Sequence, residues 1–144
     1  MGMYTCLRFV GEVKEEYIDE IEMMFDANNG KETEWKGWEH FAYSHPFAEP
    51  FSKLWRADFI PFGAMTYYNR DKFTSVGDID TLTFSNVIEE RTWVFQCDLK
   101  DYDGEIDMFL ETIAKEICDR FIATIWYEEW DFPQLVTYGL EKDL

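Results

Sequence analysis

Basic residues are scarce in this chain. Thirteen Lys and Arg stand against 30 Asp and Glu, a formal net charge of −17 over 144 residues. Such a chain is repelled by nucleic-acid phosphates and by anionic membrane surfaces, so direct nucleic-acid and membrane binding are set aside and a basic protein partner or divalent cations are favoured. Cysteine is equally sparse. Cys6, Cys97 and Cys118 are odd in number and far apart, which argues against a disulfide framework and for a reducing, cytoplasmic setting. No apolar run approaches the roughly 20 residues that a bilayer requires, and no basic start followed by an apolar run marks a signal peptide. Met1-Gly2-Met3-Tyr4-Thr5-Cys6 places Cys where a myristoylation signal needs Ser or Thr. A soluble protein is expected.

Motifs of catalysis are also missing. The chain has no P-loop, no dinucleotide-binding glycine fingerprint, no Gly-x-Ser-x-Gly elbow and no Cys-x-x-Cys pair. The expectation is a non-enzyme without a cofactor. The two histidines, His40 and His45, do not have the His-x-x-x-His spacing of a helical metal site, and packing among neighbouring aromatics is the simpler role. Asp78-Ile79-Asp80 with Glu89 and Glu90 offers a Mg²⁺ site for phosphoryl transfer, with Lys72 or Arg91 as its cation, but short Asp-x-Asp matches arise by chance in so acidic a chain. Asp78 after Gly77 also reads as a turn residue.

What the chain does contain is core material. Hydrophobic residues make up 47% and aromatics 19%, enough for one packed domain over residues 1–144 and too much for a disordered chain. The clearest stretch is 91–140. Arg91 to Asp98 reads as a strand, Asp103 to Asp119 as a helix, Phe121 to Tyr127 as a second strand, and Gln134 to Gly139 as a third beyond the turn at Asp131-Phe132-Pro133. Ile106, Phe109, Leu110, Ile113 and Ile117 lie on one stripe of the helix, while Glu105, Asp107, Glu111, Glu116 and Asp119 lie on the other face.

The first part of the chain repeats that design. Met3 to Val10 alternates as a strand, with Leu7 and Phe9 opposed to Cys6 and Val10. Glu15 to Ala27 reads as a helix, with Tyr17, Ile18, Ile21, Met24 and Phe25 inward and Glu15, Glu16, Asp19, Glu20, Glu22 and Asp26 outward. Asn28-Asn29-Gly30 ends it. Between the two units, Lys31 to Lys72 is balanced in charge, rich in aromatics and interrupted by Pro46, Pro50 and Pro61. An irregular first half with one helical turn near Phe51 to Arg56 is expected there, then strands near Ala64 to Asn69 and Thr81 to Asn86. Most of its aromatics suit a core, while Trp35 and Trp38, flanked by Lys and Glu, are expected to be exposed. Tyr127-Glu128-Glu129-Trp130-Asp131 reads as an acidic edge that discourages strand-on-strand aggregation.

The element order fits an α+β domain, a mixed or antiparallel sheet with two amphipathic helices on one face, in a ferredoxin-like split β-α-β arrangement carrying an aromatic-rich insertion. Two acidic helix faces on one side would merge into a single negative surface. Carboxylates three or four residues apart on a helix are roughly 5–6 Å apart, close to phosphate spacing. Such a surface fits the groove of a basic nucleic-acid-handling protein. The expected interface comprises Glu15, Glu16, Asp19, Glu20, Glu22, Asp26, Asp103, Glu105, Asp107 and Glu111, with Trp35 and Trp38 as aromatic anchors. In size and charge the chain is similar to the small inhibitors that phages carry against host nucleases and guided defence complexes, although no motif carries that likeness. The chain itself is expected to be a monomer or homodimer; an immunity protein for a basic toxin is the alternative function, with a metal-dependent enzyme behind both.

Overall fold

Alternation of apolar residues brings the first strand, β1 (Thr5–Val13), into being, with Leu7, Phe9 and Val13 directed to one side. The computed structural model describes residues 4–27, 37–62 and 87–140, and the side chains of all of these except 24–27, 62 and 87. The strand runs on past Val10 to Val13 because both of its edges are hydrogen-bonded there. β3 (Thr92–Leu99) lies on one edge and β4 (Cys118–Tyr127) on the other. β2 (Val87–Glu89) extends the sheet beyond β3, and β5 (Gln134–Tyr138) extends it beyond β4.

The order is β2-β3-β1-β4-β5, and every pairing is antiparallel. Of the expected mixed or antiparallel sheet, the described strands form the antiparallel kind. β3 and β4 point the same way, but β1 lies between them. The helix that follows β3 therefore carries the chain across β1 before β4 begins. The expected strands near Ala64 to Asn69 and Thr81 to Asn86 fall outside the described residues.

α1 (Glu15–Ala27) has the bounds that its periodicity predicts. The second long helix, α4, covers 105–117 rather than 103–119, since Cys118 and Asp119 are already extended in β4. Gly104, at φ +78°, precedes its first turn, and an Asp101 carboxylate oxygen accepts the Ile106 N–H at 2.9 Å. Its middle, Phe109–Ala114, is wound as a π-helix. The apolar stripe of the sequence survives that widening: Ile106, Phe109, Leu110, Ile113 and Ile117 are all buried, with Ala114 beside them.

The middle segment is more regular than its prolines suggest. α2 (Gly37–Ser44) is a full helix, followed by a 3-10 turn (Pro46–Ala48) and a short helix, α3 (Glu49–Ser52). Trp38, Phe41, Ala42 and His45 stand at i, i+3, i+4 and i+7, so the helical period is present in the sequence across few residues. Trp38 meets Phe41, Phe51 and Phe109 of α4 edge-on, and Phe51 meets Phe109, with centroids 5.3 to 5.9 Å apart. On the sheet side Phe9 contacts Trp93, Phe95, Phe109 and Phe121. One core thus joins α1, α2, α3 and α4 to the same face of the sheet. On the opposite face Cys6 and Trp126 form a small second cluster, and the buried Arg8 donates through Nε to Gln96.

Candidate partner-binding surface

The start of α1 and the end of α4 come together. Lys14 donates its N–H to the Ile117 carbonyl at 2.7 Å, which sets the first turn of α1 beside the last turn of α4. The Tyr17 phenol reports the consequence. Burial raises its pKa, and the charges of Glu16, Glu116 and Glu20 raise it further. Carboxylates from both helices therefore act on one group. Glu15, Glu16, Asp19 and Glu22 along α1 and Glu116 on α4 are exposed.

Other acids have partners within the chain. Glu20 lies 2.6 Å from His45 Nε2, and the His45 ring packs on Phe41 at 4.4 Å, Tyr17 at 5.3 Å and Phe47 at 5.7 Å. His45 packs as its sequence context suggested, whereas His40 is exposed. Glu111 pairs with Lys115 at 3.0 Å, although both remain partly accessible. At the end of the sheet, Glu12 bridges Arg91 at 3.2 Å and Arg120 at 2.9 Å, and Arg91 also pairs with Asp119. Pairing with Asp119 is the main cause that raises the Arg91 pKa.

Two expected interface residues are inside the protein. Trp38 is 1% exposed; its indole Nε1 donates to the Ile60 carbonyl at 2.5 Å. Flanking charge misled the expectation of exposure, because in a helix the neighbours of an inward residue point outward. Glu105 is fully buried, and its carboxylate accepts the N–H groups of Arg56 at 3.2 Å and Asp103 at 3.1 Å. It braces the loop at 53–58 against the start of α4 and offers no surface. Asp103 and Asp107 are exposed as expected. Trp35 and the Asp26 side chain lie outside the described residues.

The exposed aromatics are different ones. Tyr43 is 86% exposed and Trp55 is 80% exposed, and both line a groove of about 520 Å³ with Glu39, Glu49, Lys53 and Asp58. The groove has a firm floor. Asp58 accepts the Trp38 N–H at 3.0 Å, and Gly37, at φ +78°, leaves room for that carboxylate, which a Cβ would meet at 2.8 Å. Sequence reasoning missed Tyr43 and Trp55. The available signal was their phase: in α2 Tyr43 is out of step with Trp38, Phe41 and Ala42.

A second group of carboxyls gathers at the opposite end of α4. Asp101 and Asp107 border a cleft of about 320 Å³ whose walls include Tyr102, Tyr127 and Trp130. Burial raises the Asp101 pKa to about 6; the Ile106 N–H opposes that shift, and the charges of Glu105 and Asp107 add to it. The three thiols have no matching activation. All are buried, and burial raises each pKa, Cys118 to about 12.

Asp78 and Asp80 of the considered Mg²⁺ site lie outside the described residues; Glu89 and Glu90 are exposed at the β2–β3 turn. Among the described residues no group of three His, Cys, Asp or Glu side chains is arranged to hold a metal, and no helix is long and apolar enough to cross a membrane. Comparison with protein-family models, curated proteins and solved structures finds no match to this chain.

Proposed function

We propose that this protein is a small acidic inhibitor that occupies the basic groove of a nucleic-acid-handling protein by presenting carboxylates where the groove would meet phosphates. The observation that carries this reading is the junction of the two long helices, where the Lys14 N–H meets the Ile117 carbonyl at 2.7 Å and both helices bear exposed carboxylates. A field built from two elements acts over a wider surface than one helix can, and it steers a basic partner into place. Glu15, Glu16, Asp19, Glu22 and Glu116 are its exposed members. Asp103, Asp107 and Glu111 extend the acidic character along α4. Tyr43 and Trp55 supply the aromatic anchors first sought at Trp35 and Trp38, since such residues dominate binding energy when a partner buries them.

The same reading covers the architecture. The order β4-β1-β3-β2, with α1 following β1 and α4 joining β3 to β4, supports a ferredoxin-like arrangement with β5 added at one edge. In that arrangement both long helices cover one side, as a two-helix acidic surface requires.

Charge reversal tests the mechanism. The wild-type chain is used to capture its partner from a host lysate across a salt series. Glu16→Lys, Asp19→Lys and Glu116→Lys are then combined in one variant. Partner affinity is expected to fall at least about tenfold and the salt dependence of association to flatten, with an unchanged circular dichroism spectrum. Retained affinity in a folded variant would remove this face from the mechanism.

A further inference from the structure

The cleft at the start of α4 has chemistry of its own. Its aromatic walls are set at an angle: the Tyr127 and Trp130 rings are 5.9 Å apart at 68°, and Tyr102 stands beside them. Asp101 and Asp107 add negative charge, and none of the described residues that line the cleft is basic. We propose that this cleft binds an organic cation, the guanidinium or alkylammonium head of an arginine- or lysine-like ligand, between the aromatic rings and the two carboxyls.

Ring faces attract cations through their quadrupole, and nearby carboxylates strengthen the hold. The chain already uses tyrosine in this way. Arg56 lies 5.3 Å from the Tyr102 ring centre, Lys100 lies 5.7 Å from Tyr4, and Lys115 lies 5.8 Å from Tyr138. The volume is at the small end of ligand pockets and suits a cationic head with a short stem. An anion would meet two acids there. A divalent metal would want more oxygen ligands than the cleft brings together.

Electrostatics adds a pH signature. Glu105 and Asp107 face Asp101 from α4, the Cys97 thiol on β3 senses it, Tyr127 lies across the cleft on β4, Arg56 lies over the Tyr102 ring, and Lys100, the residue before Asp101, lies over the Tyr4 ring. A bound cation would offset the repulsion from Glu105 and Asp107, so binding favours ionised Asp101 and releases a proton near pH 6. The site lies at the far end of α4 from Glu116 and does not depend on the inhibitor reading.

The test is titration of the full chain with Nα-acetylarginine amide, followed by NMR of the Trp130 indole and the Asp101 amide, with the citrulline counterpart as a neutral control. Both resonances are expected to shift, with affinity about tenfold weaker at pH 5 than at pH 7.5 as Asp101 takes up its proton. Citrulline should leave them unmoved. Asp107→Asn and Trp130→Ala replace exposed side chains and should weaken binding several-fold without loss of the fold. A peptide carrying one Arg between glycines separates the sources: equal affinity assigns the site to a free cation, and tighter binding assigns it to a side chain of a partner. Equal response to citrulline, displacement of the probe by equimolar Mg²⁺, or resonances that neither probe moves would overturn the assignment.

Discussion

The carboxyl of Asp101 accepts the Ile106 N–H, which favours ionisation, while burial and the charges of Glu105 and Asp107 favour the proton. The latter prevail and leave the pKa at about 6, against 3.8 for a free side chain. Between those two values the folded chain holds a proton that the unfolded chain has shed. The contribution of this group to stability is therefore fully present below about pH 4 and is lost as pH rises through about 6. Asp101→Asn should remove that dependence, because the amide oxygen can still accept the Ile106 N–H. Urea denaturation across this window should show the variant gaining on wild type as pH rises. Above pH 6 the gain should level at about 1 kcal/mol, a discounted figure because solvent still screens the group. A difference that is flat with pH would mean that Asp101 does not titrate there. Glu105, one turn away in the chain, illustrates how residue type misleads: Glu on an expected outer face is in fact a fully buried acceptor for two backbone N–H groups.

Among the elements, α2 and the turn after α3 divide the tryptophans by role. Trp38 fills the core between Phe41, Phe51 and Phe109, whereas Trp55 stands in solvent. Trp38→Ala should destabilise the fold by about 3–5 kcal/mol, the usual range for emptying an aromatic site in a core. Trp55→Ala should stay within about 0.5 kcal/mol of wild type while weakening partner capture, and paired denaturation curves would separate the two. The ends of elements show the same division between local and distant causes. α1 stops and starts where its periodicity says. α4 is shorter than its pattern because Cys118 is claimed by pairing with Val13 across the sheet. Gly139 is needed for a comparable reason: at φ +77° it passes the Asp119 carbonyl so closely that a Cβ would lie 2.3 Å from that oxygen.

At the scale of the whole molecule, the charge of −17 opposes compaction. Ion pairs hold Glu12, Glu111 and Asp119, Lys53 pairs with Glu49 at 2.7 Å and Glu20 meets His45, while Glu15, Glu16, Asp19 and Glu22 remain exposed on α1. Raising NaCl from about 20 mM to about 300 mM shortens the screening length from roughly 20 Å to roughly 6 Å. The Tm at pH 7 is expected to rise by about 3 °C or more as repulsion is screened. A Tm that fell instead would show that short ion pairs such as Glu12 with Arg91 and Arg120 outweigh the long-range field.

Sequence alone determined the strands at β1 and β3, the span of α1, and the apolar stripe of α4, because each is a local period imposed by backbone geometry on neighbouring residues. It also determined the sign of the surface, since the excess of acids cannot be hidden in a core. Tertiary structure decided which strands pair and in which direction, that Trp38 and Glu105 turn inward, that Tyr43 and Trp55 turn outward, and that the start of α1 meets the end of α4. Those are relations between segments far apart in the chain. A residue's burial depends on what arrives from elsewhere to cover it, and no window of neighbouring residues contains that partner.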